Sequence, residues 1–148
     1  MSKSRVLAGL SILAGVAVIV SGVAVAQDAI AKRKEVMKAV GGATKQSVQM
    51  VKGEIPFDAA KTKANMDVIA DWGSFSPLFP QGTENGDTTA APKIWQTFDD
   101  FDAKGKKMAA DAAKAGAAAG EGLEAFKAAF GEVAKNCKGC HQDYRVKK

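Results

Sequence analysis

Residues 137–141 read Cys137-Lys138-Gly139-Cys140-His141 and hold every cysteine and the single histidine of the chain. Two thiols three residues apart share one face of a helix, and both can reach the two vinyl groups of one porphyrin. The imidazole of His141, on the next residue, is placed to turn toward the iron. The pattern therefore predicts covalent attachment of one haem c, with Cys137 and Cys140 forming thioethers and His141 binding the proximal face of the metal. The residue inventory removes the usual competitors. Structural zinc takes four Cys or His ligands where this chain offers three, and iron–sulfur clusters take four thiolates where it offers two. A thioredoxin-like disulfide belongs to a βαβ unit, whereas the sequence before Cys137 is alanine-rich and helical in period.

Working outward, the N-terminus carries an export pattern. Lys3 and Arg5 precede an apolar run from Val6 to Val20, and Ser21 to Ala26 closes with Ala24-Val25-Ala26. This reads as a secretory signal peptide over 1–26, with a mature domain over 27–148 in the periplasm. The alternative is an uncleaved anchor, since the same stretch approaches the ~20 residues that span a bilayer. After cleavage the mature chain has no membrane span. Of the 21 basic residues, removal of Lys3 and Arg5 leaves 19 against 16 acidic, a mild excess. Nucleic acid is not expected as a partner, because its recognition calls for a concentrated basic face.

The remaining sequence divides into four helical stretches with no run of alternating β-branched residues. The first spans about 28–52, with Ile30, Arg33, Met37, Val40, Thr44, Val48 and Val51 at steps of three and four and Gly53 as the stop. Gly41-Gly42 is expected to weaken it or to admit a close neighbour. The second opens at Pro56-Phe57-Asp58, with Asp58 as N-cap, and ends at Gly73. A loop over 73–91 follows, long for a compact domain. The third begins at Pro92, carries Ile94, Phe98, Phe101, Met108, Ala112 and Ala115 on one stripe, and ends at Gly116 and Gly120. The fourth runs from Glu121 or Gly122 to Tyr144 and places Leu123, Phe126, Phe130, Val133, Cys137 and Tyr144 on nearly one face. The fold expected is all-α: an antiparallel four-helix bundle, up-down-up-down, with the haem near one end.

With histidine exhausted, methionine is the natural second axial ligand of an electron-transfer haem. The start of the first helix and the end of the fourth lie at the same end of such a bundle. At 1.5 Å per residue, Met37 is then about level with His141, Met66 stands as a competitor, and Met50 and Met108 lie too far along the axis and are core filler. Arg33, one turn before Met37, shares its face and is suited to a haem propionate. Lys138, Arg145, Lys147 and Lys148 form either a basic docking surface for an acidic redox partner or a solvated terminus. Tyr144 is read as packing.

These pieces together resemble the class II c-type cytochromes, the cytochrome c′ family with its low-spin, methionine-ligated relatives. The likeness rests on the C-terminal attachment motif, Arg33 with Met37, Val51-Lys52-Gly53, Pro56-Phe57-Asp58, Pro92-Lys93-Ile94-Trp95, Phe130-Gly131 and Tyr144-Arg145. Because a methionine stands at 37, where cytochrome c′ typically has a non-ligating apolar residue, the low-spin branch is the nearer match. The resemblance implies an electron carrier rather than an enzyme, with His141 and Met37 as axial ligands, redox protein partners and often a homodimer. The alternative is a five-coordinate haem that binds nitric oxide or carbon monoxide, with Met37 packed beside the iron.

Overall fold

The computed structural model describes residues 17–147. The charged start and most of the apolar run of the export pattern, and Lys148 of the basic tail, lie outside the described residues. Four long helices make the bundle: α1 (Ala17–Val51), α2 (Ala59–Ala70), α5 (Phe98–Ala118) and α6 (Leu123–Tyr144). Between α2 and α5 lie two single turns, α3 (Trp72–Phe75) and α4 (Lys93–Gln96), and a 3₁₀ turn over Ser76–Leu78.

Local chemistry explains the ends. Gly53 sits at φ 73°, a left-handed conformation that glycine adopts without cost, and the Glu54 N–H returns to the Gln49 carbonyl at 2.9 Å. Asp58 caps α2 as expected, its carboxylate accepting from the Lys61 N–H at 2.9 Å. Gly41-Gly42 passes through α1 without breaking it, and no atom lies within 4 Å of where a Cβ would stand on either residue.

Three boundaries differ from expectation. α2 stops at Ala70 rather than at Gly73, because Asp71 leaves the helical conformation and its carboxylate caps α3 through the Ser74 N–H at 3.1 Å. The expected long loop therefore begins as helical turns. The third helix is not continuous from Pro92: Thr97, at φ −134° and ψ 49°, separates α4 from α5. Its hydroxyl bonds the Lys93 carbonyl at 3.0 Å and the Tyr144 hydroxyl at 3.1 Å, so side-chain hydrogen bonding competes with helix continuation. Gly116 does not terminate α5. It is buried within it, and a Cβ there would stand 3.2 Å from the Met66 Cβ, so this glycine lets α2 and α5 approach closely.

Packing occurs in two layers. Toward one end Met66 and Ile69 of α2, Ala112 and Ala115 of α5, and Phe126, Phe130 and Val133 of α6 close on Ala43 of α1. Toward the other, Trp72, Phe75, Phe79, Ile94, Phe101 and Tyr144 form an aromatic cluster that Met37, Met108 and Cys140 border. Phe101 is its hub, with ring centroids 5.1 Å from Trp72, 4.9 Å from Phe79 and 5.2 Å from Tyr144 in edge-on geometry. The α5–α6 register is set by Lys104 to Asp143 at 2.6 Å and Asn136 to Asp111 at 2.8 Å.

Two outcomes follow from this packing. Gly105 of α5 lies flat against Trp72, and a methyl there would fall inside the indole. Gly105→Ala is expected to destabilise the holoprotein by about 1–3 kcal/mol through overpacking, read as a lower denaturant midpoint. Asp111 is held down to about 2 by hydrogen bonds from Lys107 and Asn136. A carboxylate whose folded pKa lies below its unfolded value stabilises the fold above about pH 4, and this contribution fades as pH falls toward 2. Acid titration of Asp111→Asn should lack that part of the decline in stability.

Candidate functional site

At the aromatic end, a cavity of about 490 Å³ opens between α1 and α6. α6 contributes Cys137, Cys140, His141 and Tyr144, α1 contributes Arg33, Met37, Val40 and Gly41, and Trp72, Phe75, Phe79 and Phe101 close its floor. This volume suits a cofactor, and its walls are chiefly apolar with a few polar groups at fixed places. The structure thus brings Cys137, Cys140, His141, Met37 and Arg33 to one site. Met66, kept as a competitor of Met37, is fully buried between α2 and α5 and is not among the lining residues. Met108 does line the cavity, against the expectation that it stands too far along the axis. The break at Thr97 starts α5 later, and the α5–α6 register sets Met108 level with the attachment motif.

The electrostatics keep both thiols protonated and favour a neutral ligand nitrogen. Burial raises both thiols, Cys140 to about 11, so they stay protonated in the unloaded pocket. His141 lines the cavity with much of its surface open, and partial desolvation by the atoms around it, then the charge of Arg145, push its pKa down, which favours the neutral imidazole that a metal binds.

Among the described residues, Arg33 alone carries buried side-chain donors without a hydrogen-bond partner. It is 4% exposed, and burial lowers its pKa against the opposing pull of the Glu84 carboxylate. Its Nη2 donates to the Thr83 carbonyl at 2.8 Å, and its guanidinium lies over the rings of Phe79 at 4.8 Å and Trp95 at 5.3 Å. Nε and Nη1 have no partner. A buried cation with two unmet donors beside a cavity is a receptor for a carboxylate, which accepts such a fork through both oxygens. Two thiols, an imidazole and this guanidinium are a donor set that fits haem c with its propionates.

Arg145, expected either in a basic docking surface or in a solvated terminus, lines the cavity with His141. Its backbone pairs with Ala90 in an antiparallel bridge. Tyr144 is more than packing: it is buried, lines the cavity and donates to Asp100 at 2.5 Å. Trp72, Phe75 and Phe79 were not legible as site residues, since they lie in the stretch expected to be loop or beside it. Their only sequence signal is an unusual density of aromatics there.

The family pattern described as Cytochrome C′ matches residues 28–145. The chain belongs to the cytochrome c′ family. It is 44% identical over 142 residues to a cytochrome c′ of Rhodopseudomonas palustris, covering 94% of this chain and 97% of that protein. It is 38% identical over 120 residues to a cytochrome c-556 of Agrobacterium tumefaciens, covering 80% and 98%. A ferrous variant of cytochrome c prime from Alcaligenes xylosoxidans, solved with NO bound, superposes with a TM-score of 0.74 at 34% identity, covering 83% of this chain and 97% of that one. The bundle is thus the cytochrome c′ fold, and the cofactor is one covalently attached haem c per chain.

Membership corrects the functional expectation. A six-coordinate His141/Met37 electron carrier does not agree with a family that includes a protein solved as an NO complex. Iron that takes up NO needs an open position, and a bonded Met37 thioether would fill it. Met37 lines the cavity without that role. Among the described residues no helix is long and apolar enough to cross a membrane.

Replacing Cys137 and Cys140 together by alanine should abolish covalent attachment. The purified chain is expected to have the mass of the bare polypeptide and to melt well below the holoprotein, because a cavity of this size costs stability when unfilled.

Proposed function

We propose that this protein is a ligand-binding haem protein of the periplasm, five-coordinate at iron, whose open position takes nitric oxide or carbon monoxide. In this reading the signal peptide is removed after Ala26, Cys137 and Cys140 hold the haem by thioethers, His141 binds the iron from the α6 side, and Arg33 receives a propionate. The observation that carries it is the composition of the α1 wall. Between the charged Arg33, Lys34 and Lys38, that wall presents Met37, Val40 and Gly41, whose side chains have no N–H or O–H to offer. The haem supplies a metal that binds small diatomic ligands reversibly. Where the iron faces those three residues, bound oxygen gains no hydrogen bond from them, which suits NO and CO better.

Met37 has a steric part. Its flexible thioether fills the space next to the open position, and an arriving ligand displaces it. Gly41, one turn further on, adds no side chain to that part of the cavity wall. The same arrangement argues against turnover. No second imidazole exists for acid–base work on a bound substrate.

Optical spectra test this directly. The ferric and ferrous holoprotein should be high-spin, the ferrous form should bind CO, and Met37→Leu should leave the spin state unchanged while altering the CO association rate. A low-spin wild type that becomes high-spin in Met37→Leu would overturn the reading.

A further inference from the structure

We propose that Arg33 is a positioning residue that clasps the segment 79–91 across the cavity, with a haem propionate completing its hydrogen bonds, and thereby restrains ligand access. The inference rests on the proposed haem site and concerns what holds that site closed.

The segment 79–91 runs from the aromatic floor along α1 to the C-terminal tail, and it is fastened at both ends. At the tail, the Ala91 N–H donates to the Tyr144 carbonyl and the Val146 N–H to the Thr89 carbonyl, each at 2.9 Å. Thr88, Thr89 and Ala90 line the cavity. At the other end, Thr83 is 2% exposed and its hydroxyl donates to the Pro80 carbonyl at 2.8 Å, which also accepts the Trp95 indole N–H at 3.0 Å. This turn has one buried hydrogen bond to α1, from Arg33 to the Thr83 carbonyl, and the same guanidinium stacks on Phe79; further along the segment, Ile30 of α1 comes up against Gly86 as an apolar contact only. Between the two ends, Lys34 pairs with Asp87, but both side chains are more than half exposed, and such pairs hold little.

The tie is conditional. With Nε and Nη1 unmet, the guanidinium gains by turning to water, and the segment it holds is released with it. A carboxylate on those two donors removes that gain. Arg33 then bridges the propionate on one side and the Thr83 carbonyl on the other. Closure of the segment is therefore coupled to the loaded haem, and ligands reach the iron by its transient release.

Hydrogen exchange and ligand kinetics on the holoprotein test the clasp. In the ferrous CO form the Arg33 Nε–H should exchange slowly, and fast exchange in the wild type overturns the proposal without any variant. Arg33→Leu and Arg33→Lys should each lower protection of the Ala91 and Val146 amides at least tenfold and raise the CO association rate several-fold, with the spin state unchanged. Lys34→Ala should leave both readouts within about twofold of wild type. Unchanged protection in both Arg33 variants, or loosening by Lys34→Ala equal to theirs, overturns the proposal. A spin-state result against the open position would sink the proposed function instead, and it is read from the spectrum alone.

Discussion

The apolar stripe of α6 has to serve two incompatible ends, and the rest of the molecule follows from how it is divided. Its first half, through Phe126, Phe130 and Val133, meets close-packed neighbours from α2 and α5. Its second half, through Cys137, Cys140 and Tyr144, faces a space that no side chain fills. A single helix cannot be both a core element and a cofactor wall unless the bundle parts along its length. The parting is achieved by substituting bulk for contact: small residues at Gly116, Ala112 and Ala115 bring helices together at one end, and large aromatics hold them apart at the other.

The aromatic cluster is more than filler. Trp72 is pinned by its indole N–H to Asp102 at 2.7 Å and by the flat surface of Gly105, so its plane is fixed before any cofactor arrives. Phe101 and Tyr144 are similarly fixed through edge-on contacts and the Tyr144–Asp100 bond. A rigid apolar floor spares the haem the cost of ordering its own pocket. Such rigidity also gives meaning to the single uncomfortable group. Arg33 is buried among rings that stack on it but cannot satisfy its donors; Glu84 offsets part of its charge, and an anion in the cavity would meet the two unpaired N–H groups.

The relation between site and ligand turns on Met37. A methionine facing a haem from the neighbouring helix satisfies every spacing requirement for a sixth ligand, and spacing alone points to a low-spin carrier. Membership in a family that includes an NO-bound protein supports instead the proposed reading, in which Met37 stands beside an open position. The same side chain serves either state, because thioether sulfur is both a fair ligand and a compliant apolar filler. Helical geometry cannot separate the two. They differ by a shift of sulfur along the line to the metal that is much smaller than the 5.4 Å pitch that sequence reasoning resolves.

Haem attachment, the helical class, the order of the helices and the face of α6 that carries the thiols were all legible in the chain, because each depends on residue types at fixed local spacing. Cys137, Cys140, His141 and Arg33 were named on that basis and meet at one cavity. Tertiary structure decided what local spacing does not encode. The Thr97 hydroxyl at the break bonds the Tyr144 hydroxyl, 47 residues away, as well as the Lys93 carbonyl, and Met108 lines the cavity. Gly116 was read as a helix end and proved to be a contact between helices, since only the partner Met66 distinguishes the two. Met66 itself was removed from the site by its burial on the far side of that contact. Arg145 and the segment 79–91 joined the site through backbone pairing between distant parts of the chain, which has no side-chain signature to read.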